Sequence, residues 1–569
     1  MRADRQRWWN AVRKGLIWAG VAVFVAMVGM VETFAERQVI VGILSLGMAL
    51  LVLAGMGAGH QAAQRQAGGG VVSALLRGAV AGTLTGAAVT GLVVVGSVVN
   101  LRAMFASASP KLFSLLSFGR GLSGWHLPLL AGAALGTIGA ATTMLTGPVR
   151  QPIITGLSWV LGVGLFQELL QIVLGGEGIR VAIREMLFYA DGLSPRGALI
   201  IFLGAAASRA VWTRRRAAAR QWFAARTSSQ QRGLRLLALG VGASVLLLVP
   251  VVAGPFLSQV LVLVGLFALL GLGLNVVVGF AGLLDLGYVA FFAIGAYTVG
   301  LLTSTGEHGI LHFSFWTAVP IAMVVSMIAG VLLGIPVLGI RGDYLAIVTM
   351  GFGEIIRLLV LSDFLRPWLG GSQGILGIPK PTIFGVELSG PEQLFYLTLV
   401  LCGLIVFVAS RLRDSRLGRA WMAVREDEDV AQAMGINLVN VKLLAFGLGA
   451  AFGGISGAIF AVMVGSVFPH SFQFLISINV LALIIVGGMG SMPGVVVGSL
   501  ALVGLPELLR EFAEFRFLVY GAALVVMMQL RPEGLLPAAA LKRELHAAEE
   551  MDPSRQAMSP ASGQEPGDG

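Results

Sequence analysis

The stretch Thr213-Arg-Arg-Arg-Ala-Ala-Ala-Arg-Gln-Trp-Phe-Ala-Ala-Arg-Thr-Ser-Ser-Gln-Gln-Arg-Gly-Leu-Arg235 contains seven arginines and no acidic residue. Apolar runs long enough to cross a bilayer flank it on both sides. A cluster this basic is attracted to anionic lipid and resists transfer across a membrane. We therefore expect residues 213–235 to be a cytoplasmic linker between two membrane units. The alternative, a nucleic-acid patch, is disfavoured by the flanking apolar runs.

The composition is typical of a membrane protein. Apolar residues make up 56% of the 569 residues, charged residues only 12%, and the mean hydropathy is +0.87. A soluble domain of this size needs more charged residues to cover its surface. The single cysteine, Cys402, excludes an intrachain disulfide and a cysteine metal cluster. We predict an all-α polytopic membrane protein, with its net charge of +10 on cytoplasmic flanks.

Apolar runs of about 20 residues, the length that crosses a bilayer, predict six spans before the arginine block. The basic N-terminus is expected to be cytoplasmic, and the apolar run after it is too long for a cleaved signal peptide. Six crossings return the chain to the cytoplasm at the block, although the loop 101–126 then lies outside despite its basic residues. The predicted spans are 16–33, 38–57, 78–100, 127–147, 152–174 and 197–212.

Ten further spans are predicted after the block, which gives about 16 transmembrane or re-entrant helices and places both termini in the cytoplasm. Segments 284–302 and 475–506 are candidates for re-entrant or broken helices, which need protein or water to cover their backbone. The predicted organisation is an N-terminal six-span unit (1–240), a second membrane domain (241–537) and a disordered cytoplasmic tail (538–569). The ten spans are 236–253, 256–274, 284–302, 316–340, 344–362, 394–410, 441–465, 475–488, 493–506 and 517–530.

Three ionisable residues of the second unit, Asp285, Glu354 and Arg357, are candidates for a translocation path or a seam. A charge near the centre of a membrane helix costs ~2.5–3.5 kcal/mol, so Asp285 should face protein, water or the interface. Asp285 either lies on a translocation path or caps a helix that begins near Leu286. Glu354 and Arg357 are spaced i, i+3 and can pair on one helix face. Such a pair lines a path, forms a seam between subunits, or locks two helices together.

The cytoplasmic loop 411–442 contains four consecutive acids, Glu426 to Asp429, which favour the start of a short helix. Val430, Ala433 and Met434 form a small apolar face, and Gly435 is placed to end the helix. A short amphipathic helix on the cytoplasmic side is suited to docking into a groove of a partner protein. The alternative, a helix lying on lipid, is disfavoured because the inner leaflet is also negative.

Several longer motifs stand in one order between residues 263 and 536, and together they resemble one family. This part of the chain is similar to the permease subunit of high-affinity branched-chain amino acid ABC importers, specifically the second, longer member of that permease pair. Residues 1–240 depart from the family pattern. The matching segments are Gly282–Thr298, Gly342-Asp-Tyr-Leu-Ala-Ile-Val-Thr349, Gly370-Gly-Ser-Gln-Gly374, Gly418–Leu443, Gly453–Phe460, Val486-Gly-Gly-Met-Gly-Ser491 and Arg531-Pro-Glu-Gly-Leu-Leu-Pro537.

The resemblance implies a transport subunit of a bacterial cytoplasmic (inner) membrane rather than an enzyme. Its implied partners are a second permease subunit, two cytoplasmic ABC ATPases, an extracytoplasmic solute-binding protein and the lipid bilayer, with no nucleic acid. The chain would bind no cofactor or metal itself; ATP would be used by the partners, since this sequence has no Gly-x-x-x-x-Gly-Lys-Ser/Thr loop. The 411–442 loop would be the ATPase-coupling loop, with carried-over residues Gly418, Arg425, Glu426, Asp427, Ala433, Gly435 and Lys442.

Three alternatives remain at the level of sequence. Related importers carry urea, short amides or other amino acids. An ion-coupled secondary transporter would use intramembrane carboxylates, with Asp285, Glu354 and Glu168 as candidates. A membrane enzyme would need a metal or nucleophile constellation; His308 and His312 beside Glu307 are the nearest approach, without further ligands.

Overall fold

The computed structural model describes residues 2–64, 70–105, 107–145, 147–175, 179–190, 192–224, 228–512, 515–531 and 533–537. The chain forms two compact units, an N-terminal unit of residues 1–241 and a C-terminal unit of residues 242–569. The tail predicted to be disordered, 538–569, and residues 225–227 of the arginine block lie outside the described residues.

The N-terminal unit is built from helices joined by short connections. The arginine block, predicted as a linker, is helical through residue 224 and again from residue 228. The helices are α1 Arg2–Met27, α2 Met30–Thr33, α3 Leu46–Ala63, α4 Val71–Val98, α5 Pro110–Leu116, α6 His126–Ala141, α7 Gly147–Leu165, α8 Gln167–Val173, α9 Ile179–Leu187 and α10 Pro195–Ala224.

Four short strands close one end of this unit, in the order β2-β1-β4-β3. Ile40, between α2 and α3, pairs with Leu193, just before α10, so the segment that follows α2 meets the start of α10 there. The strands are β1 Gln38–Ile40, β2 Leu44–Ser45, β3 Phe188–Tyr189 and β4 Gly192–Leu193. The predicted span 38–57 is therefore wrong at its start: Gly42 turns the chain into a hairpin, and α3 begins only after Ser45 caps it.

The connection between α4 and α6 lies at the same end of the N-terminal unit as the four strands. Lys111 of α5 forms an ion pair with Glu36 at 2.6 Å, and the Ser109 hydroxyl donates to Glu32 at 2.6 Å. The loop 101–126 therefore lies beside the segment that follows α1, opposite the basic start of that helix. This arrangement is compatible with the predicted external position of the loop.

Glycine brings the helices of the N-terminal unit into backbone contact. A Cβ on Gly82 of α4 would lie 2.1 Å from the carbonyl oxygen of Gly132 in α6, and one on Gly86 would lie 2.2 Å from that of Pro128. Helices in membranes pack this closely only where small residues face each other.

The C-terminal unit contains the longest buried helices. Non-helical backbone at Gly254 (φ 77°, ψ −177°), between two prolines, divides its first helical stretch into two helices, which agrees with the two predicted spans 236–253 and 256–274. The helices are α11 Ser228–Leu274, α12 Val289–Thr303, α13 Phe315–Val337, α14 Asp343–Leu361, α15 Arg366–Leu369, α16 Pro391–Asp414, α17 Arg416–Glu426, α18 Glu428–Ala433, α19 Leu438–Val464, α20 Phe474–Gly487, α21 Met492–Ser499, α22 Leu505–Leu508 and α23 Phe515–Leu530.

Two π-helical segments, Asn275–Phe280 and Leu500–Gly504, interrupt the regular helices of this unit. Two small antiparallel pairs join its loops: β5 (Ile375–Leu376) with β8 (Ser466–Val467), and β6 (Thr382–Ile383) with β7 (Val386–Glu387). The core lies around α12 and α19. The largest fully buried side chains in and beside these helices are Trp421, Tyr288, Phe291, Phe292 and Phe446.

Among the described residues, nine helices are long and apolar enough to cross a membrane. A tenth crossing results if the bent pair α7 and α8, which meet at 73° within the predicted span 152–174, is one broken span. Shorter apolar helices include α6, α12 and α23. The protein is thus a multi-pass helical membrane protein, and the count of sixteen and the side of the termini stay predictions.

Candidate functional site

Within the predicted loop 411–442 the chain forms two short helices, α17 and α18, where the sequence predicted one short helix that starts at the acids 426–429. Asp427 separates them: its Oδ1 accepts the backbone N–H groups of Asp429 at 2.8 Å and Val430 at 3.0 Å. Gly435 has φ +87°, a conformation that favours glycine and ends α18. The prediction of a short helix that ends at Gly435 is confirmed, and the additional break results from the Asp427 cap.

The apolar side chains predicted on this helix point away from the protein. Val430 is 58% exposed and Met434 is 79% exposed, and Ala433 lies exposed between them. Ala431 alone of the α18 residues is buried. None of the described residues covers the exposed apolar face of α18.

The opposite side of α18 is held by ion pairs. The Lys442 ammonium, only 3% exposed, lies 2.8 Å from Glu428 and donates to the carbonyl oxygen of Leu338 at 3.3 Å. Arg341, in the connection between α13 and α14, lies 3.0 Å from Glu428 and 2.8 Å from Asp429. Its hydrogen bond lowers the pKa of Asp429, while Asp429 raises the pKa of Arg341. The loop is therefore fixed to the connection before α14.

The start of the loop is fixed by close packing. A Cβ on Gly418 would lie 2.2 Å from the carbonyl oxygen of Arg413, so only glycine fits at the turn between α16 and α17. The fully buried Trp421 donates its indole N–H to the carbonyl oxygen of Val441 at 2.9 Å.

Arg425 points into the protein rather than outward. Its Nη1 donates to the carbonyl oxygen of Gly279 at 2.6 Å. Gly282 (φ +73°) lies against the same side chain, since a Cβ there would come within 2.8 Å of Arg425 Cγ. Arg425 thus joins α17 to the point where the first long helix of the C-terminal unit ends.

Beyond that point the chain is not regular helix, although it is deeply buried. Between the π-helical segment Asn275–Phe280 and α12, the fully buried Asp285 accepts the N–H of Gly287 at 2.9 Å. Its other oxygen, Oδ2, is buried without a hydrogen-bond partner among the described residues. The predicted helix start near Leu286 is wrong: α12 begins at Val289, and Asp285 does not cap it. The backbone turn around Gly287 delays the helix.

Side chains of other helices hold this broken segment. Leu286 donates its N–H to the Thr349 hydroxyl of α14 at 3.0 Å, and Val289 donates to the Ser477 hydroxyl of α20 at 2.9 Å. The Tyr288 hydroxyl donates to a backbone carbonyl of α19 at 2.7 Å. On the other side, Asn275 accepts the N–H of Gly490 at 2.9 Å. The break is covered by protein, as irregular backbone at membrane depth requires.

Glu354 and Arg357 form the predicted i, i+3 ion pair, with Arg357 Nε 3.0 Å from both carboxylate oxygens. They are not buried in this chain: 44% of the Glu354 side chain and 29% of the Arg357 side chain are exposed. Helix α14, which carries the pair, begins at Asp343, and Gly342 occupies its N-cap position. Much of this helix is also exposed. The exposed α14 side chains include Tyr344, Ile347, Ile355 and Leu358.

Other candidate residues serve local contacts. Glu168 pairs with Arg37 at 3.3 Å, and the His312 Nδ1 lies 2.7 Å from the Ser304 carbonyl oxygen. In the described ranges no three His, Cys, Asp or Glu residues group to hold a metal ion.

Sequence reasoning missed the long-range partners of Asp429 and Arg425. Arg341 lies 88 positions before Asp429, and Gly279 lies 146 positions before Arg425. The available signal was their shared side of the membrane: the basic connection near 341 and the acids 426–429 were both predicted to be cytoplasmic. That signal indicates proximity without assigning pairs.

The comparisons with known proteins fall on this C-terminal part. Residues 256–528 match the family model of the branched-chain amino acid transport system permease component. The high-affinity branched-chain amino acid transport system permease protein LivM of Salmonella typhimurium is 44% identical over 319 residues, which cover 51% of this chain and 73% of that protein.

The protein of the same name from Escherichia coli is 44% identical over 321 residues, covering 52% of this chain and 74% of the relative. The probable branched-chain amino acid transport permease protein LivM of Methanocaldococcus jannaschii is 22% identical over 327 residues, 49% of this chain and 93% of the relative. No solved structure matches the chain. The chain belongs to the branched-chain amino acid permease family, and it is a membrane transport subunit rather than an enzyme.

Proposed function

We propose that this chain is the transmembrane subunit of an ATP-driven, binding-protein-dependent importer of branched-chain amino acids in a bacterial inner membrane. The substrate is inferred from the names of its relatives. ATP would be bound and hydrolysed by two separate cytoplasmic ATPase subunits, and an extracytoplasmic binding protein would deliver the solute. The proposed topology has about 16 crossings with both termini in the cytoplasm.

The observation that carries this proposal is the contrast between the two sides of α18. Its inner side is held by the buried Lys442–Glu428 pair, while Val430 and Met434 on its outer side are exposed. A short helix that is rigidly held and apolar outward fits a groove on a partner protein. Four neighbouring acids disfavour the anionic membrane surface as the occupant. We infer that an ATPase subunit docks here.

The contacts of α17 suggest how docking affects the transport path. Arg425 joins this helix to the backbone at Gly279, directly before the broken segment that holds Asp285. A shift of α17 would therefore move the end of the first long helix relative to α12. Transporters commonly place their moving or binding elements at such discontinuous helices. We propose that Arg425 transmits ATPase movement to this break.

The exposed face of α14 is proposed as the seam with the second permease subunit. An ion pair such as Glu354–Arg357 is costly against lipid but not against protein or a water-filled path. Since α14 also contacts the broken segment through Thr349, the seam and the break lie on opposite sides of one helix. A translocation path between two permease subunits would then run along α14.

Replacement of Gly435 tests the docking role. Proline cannot adopt the positive φ found there and lacks the amide N–H that Gly435 donates to the Gln432 carbonyl at 2.9 Å. Gly435→Pro should abolish uptake and reduce co-purification of the ATPase, whereas Gly435→Asn should retain both because asparagine tolerates positive φ. The readouts are solute uptake by membrane vesicles and ATPase bound per permease. Normal substrate-stimulated ATP hydrolysis in Gly435→Pro would refute docking at α18.

A further inference from the structure

The N-terminal unit, which lies outside the family match, contains a cavity of about 400 Å³. Helices α1, α3, α4 and α6 form its walls, and α5 with the β1–β2 hairpin lies over one end. Its lining includes Ala22, Leu51, Val52, Val89, Leu116 and Ala131. This volume is well within the range of small-molecule sites, about 300–1,000 Å³.

The lining selects an apolar occupant. Thr85 supplies a hydroxyl to the wall, but that group already donates to the Ala81 carbonyl within its own helix at 3.1 Å. None of the residues that line the cavity is charged. A zwitterionic amino acid or an ion would lose its hydration there without compensation. Apolar cavities of this kind instead bind hydrocarbon.

The rim of the cavity indicates where the occupant comes from. Ile43, Met48 and Phe118 line it and are exposed, Ile43 by 66% and Phe118 by 53%. Phe118 has φ +55°, a backbone conformation that is unfavourable for an aromatic residue. Exposure of these apolar side chains to water is unfavourable, whereas their contact with lipid tails is favourable. The opening therefore suits the hydrocarbon region of the bilayer.

A polar group lies at the same end of the unit. Lys111 is four residues before Leu115, which lines the cavity, so the two share a face of α5. Its ammonium pairs with Glu36 at 2.6 Å, and both side chains are at least half exposed. Charged residues of this kind mark the headgroup level of a membrane. A chain in the cavity would thus have its polar end near α5.

We propose that this cavity is a binding site for one long acyl chain of a membrane lipid, with the polar end of the lipid beside Lys111. The site lies in the N-terminal unit, and the inference does not depend on the proposed function of the C-terminal unit. A bound acyl chain would fill the space that the apolar side chains of α1, α3, α4 and α6 leave between them.

Photolabelling of the full-length protein tests this site. The probe is a phosphatidylglycerol with a diazirine at the end of one acyl chain, present at low fraction in phosphatidylethanolamine–phosphatidylglycerol nanodiscs. Adducts are mapped by mass spectrometry. Labelling should concentrate on the cavity-facing residues of α3 and α6 and saturate with probe. Ala131→Phe should lose this labelling by filling the cavity, whereas Ala133→Phe, also half-buried on α6 but outside the lining, should keep it.

Val52→Trp fills the same space from α3 and replaces Ala131→Phe if that variant does not elute as a folded protein. A diacylglycerol that carries the same diazirine chain but no phosphate headgroup is tested in parallel. Equal labelling by both probes assigns recognition to the chain alone, and preference for the phospholipid assigns a part to the headgroup; both support the site. Labelling spread evenly over all lipid-facing helices, or unchanged in the filled variants, would overturn it.

Discussion

The two units of this molecule hold their helices together by different means. In the N-terminal unit, backbone meets backbone at glycines such as Gly82 and Gly132, and the ion pairs are exposed at one end. In the C-terminal unit, buried polar side chains such as Asn275 and Lys442 join elements distant in sequence. Glycine contacts allow close packing but have little directionality. Buried hydrogen bonds fix one element to a particular atom of another, as an element that transmits movement requires.

The family match follows the same division, since it covers residues 256–528. The charged contacts of the 411–442 loop and the broken segment all lie within that range. If this contrast between the two units holds, substitutions in the C-terminal unit should affect the coupling of ATP hydrolysis to transport. Substitutions in the N-terminal unit should affect only packing or lipid binding.

The largest effect is expected at the buried pair of the 411–442 loop. Glu428→Gln leaves the Lys442 ammonium, whose side chain is 3% exposed, without its counter-charge, at a cost of about 3–5 kcal/mol. Lys442→Met should lower the stability less, because Glu428 keeps its ion pair with Arg341. The double variant, Glu428→Gln with Lys442→Met, should recover much of the lost stability. Thermal unfolding of the purified protein measures this, with Asp414→Asn at an exposed pair as control. Equal stability of Glu428→Gln and wild type would contradict the buried pair.

The next effect concerns the glycine contacts of the N-terminal unit. Gly82→Leu would force α4 and α6 apart, at a cost of about 1–3 kcal/mol or more. Gly91→Leu on the same helix, where nothing lies within 4 Å, should be tolerated. Hydrogen exchange of α4 and α6 measures the loss, and the peptides of the C-terminal unit should be unaffected. Similar exchange in both variants would show that the two helices do not meet as described.

A smaller effect on stability, but a specific one on transport, is expected from Arg425→Met. Loss of the charged hydrogen bond to Gly279 should cost about 1.5–3 kcal/mol. The ATPase should still bind, but solute transported per ATP hydrolysed should fall. Arg419→Met is the matched control, because Arg419 on the same helix donates only to the nearby Asp414 carbonyl at 3.1 Å. An unchanged transport-to-hydrolysis ratio in Arg425→Met would remove Arg425 from the coupling route.

The smallest effect on the isolated chain is expected at Glu354 and Arg357. Because both are partly exposed, separate replacement by glutamine should cost no more than about 1 kcal/mol in the purified subunit. In the assembled permease the same changes should weaken association of the second subunit, and the double variant should restore part of it. Co-purification of the two permease subunits is the measurement. Equal association in all three variants would place the pair against lipid or solvent instead of a seam.

Part of the site could be predicted because it depends on local sequence. The end of α18 at Gly435 and the pairing of Glu354 with Arg357 follow from residues within four positions of each other. The burial of that pair could not be predicted, since exposure depends on which helices lie opposite α14. The inward direction of Arg425 was missed for the same reason: its acceptor is a backbone carbonyl, which hydropathy and charge patterns do not distinguish.

The sequence by itself determined the membrane class, most of the apolar helices and, through its motifs, the family, because hydropathy, glycine positions and charge blocks act over short stretches of chain. Only the tertiary structure decided that the hairpin 38–45 pairs with Leu193, that Asp285 lies in a break covered by α14 and α20, and that Lys442 is buried against the carbonyl of Leu338. These outcomes depend on contacts between residues far apart in the chain. Buried polar groups must find partners wherever packing brings them, and no local pattern names that partner.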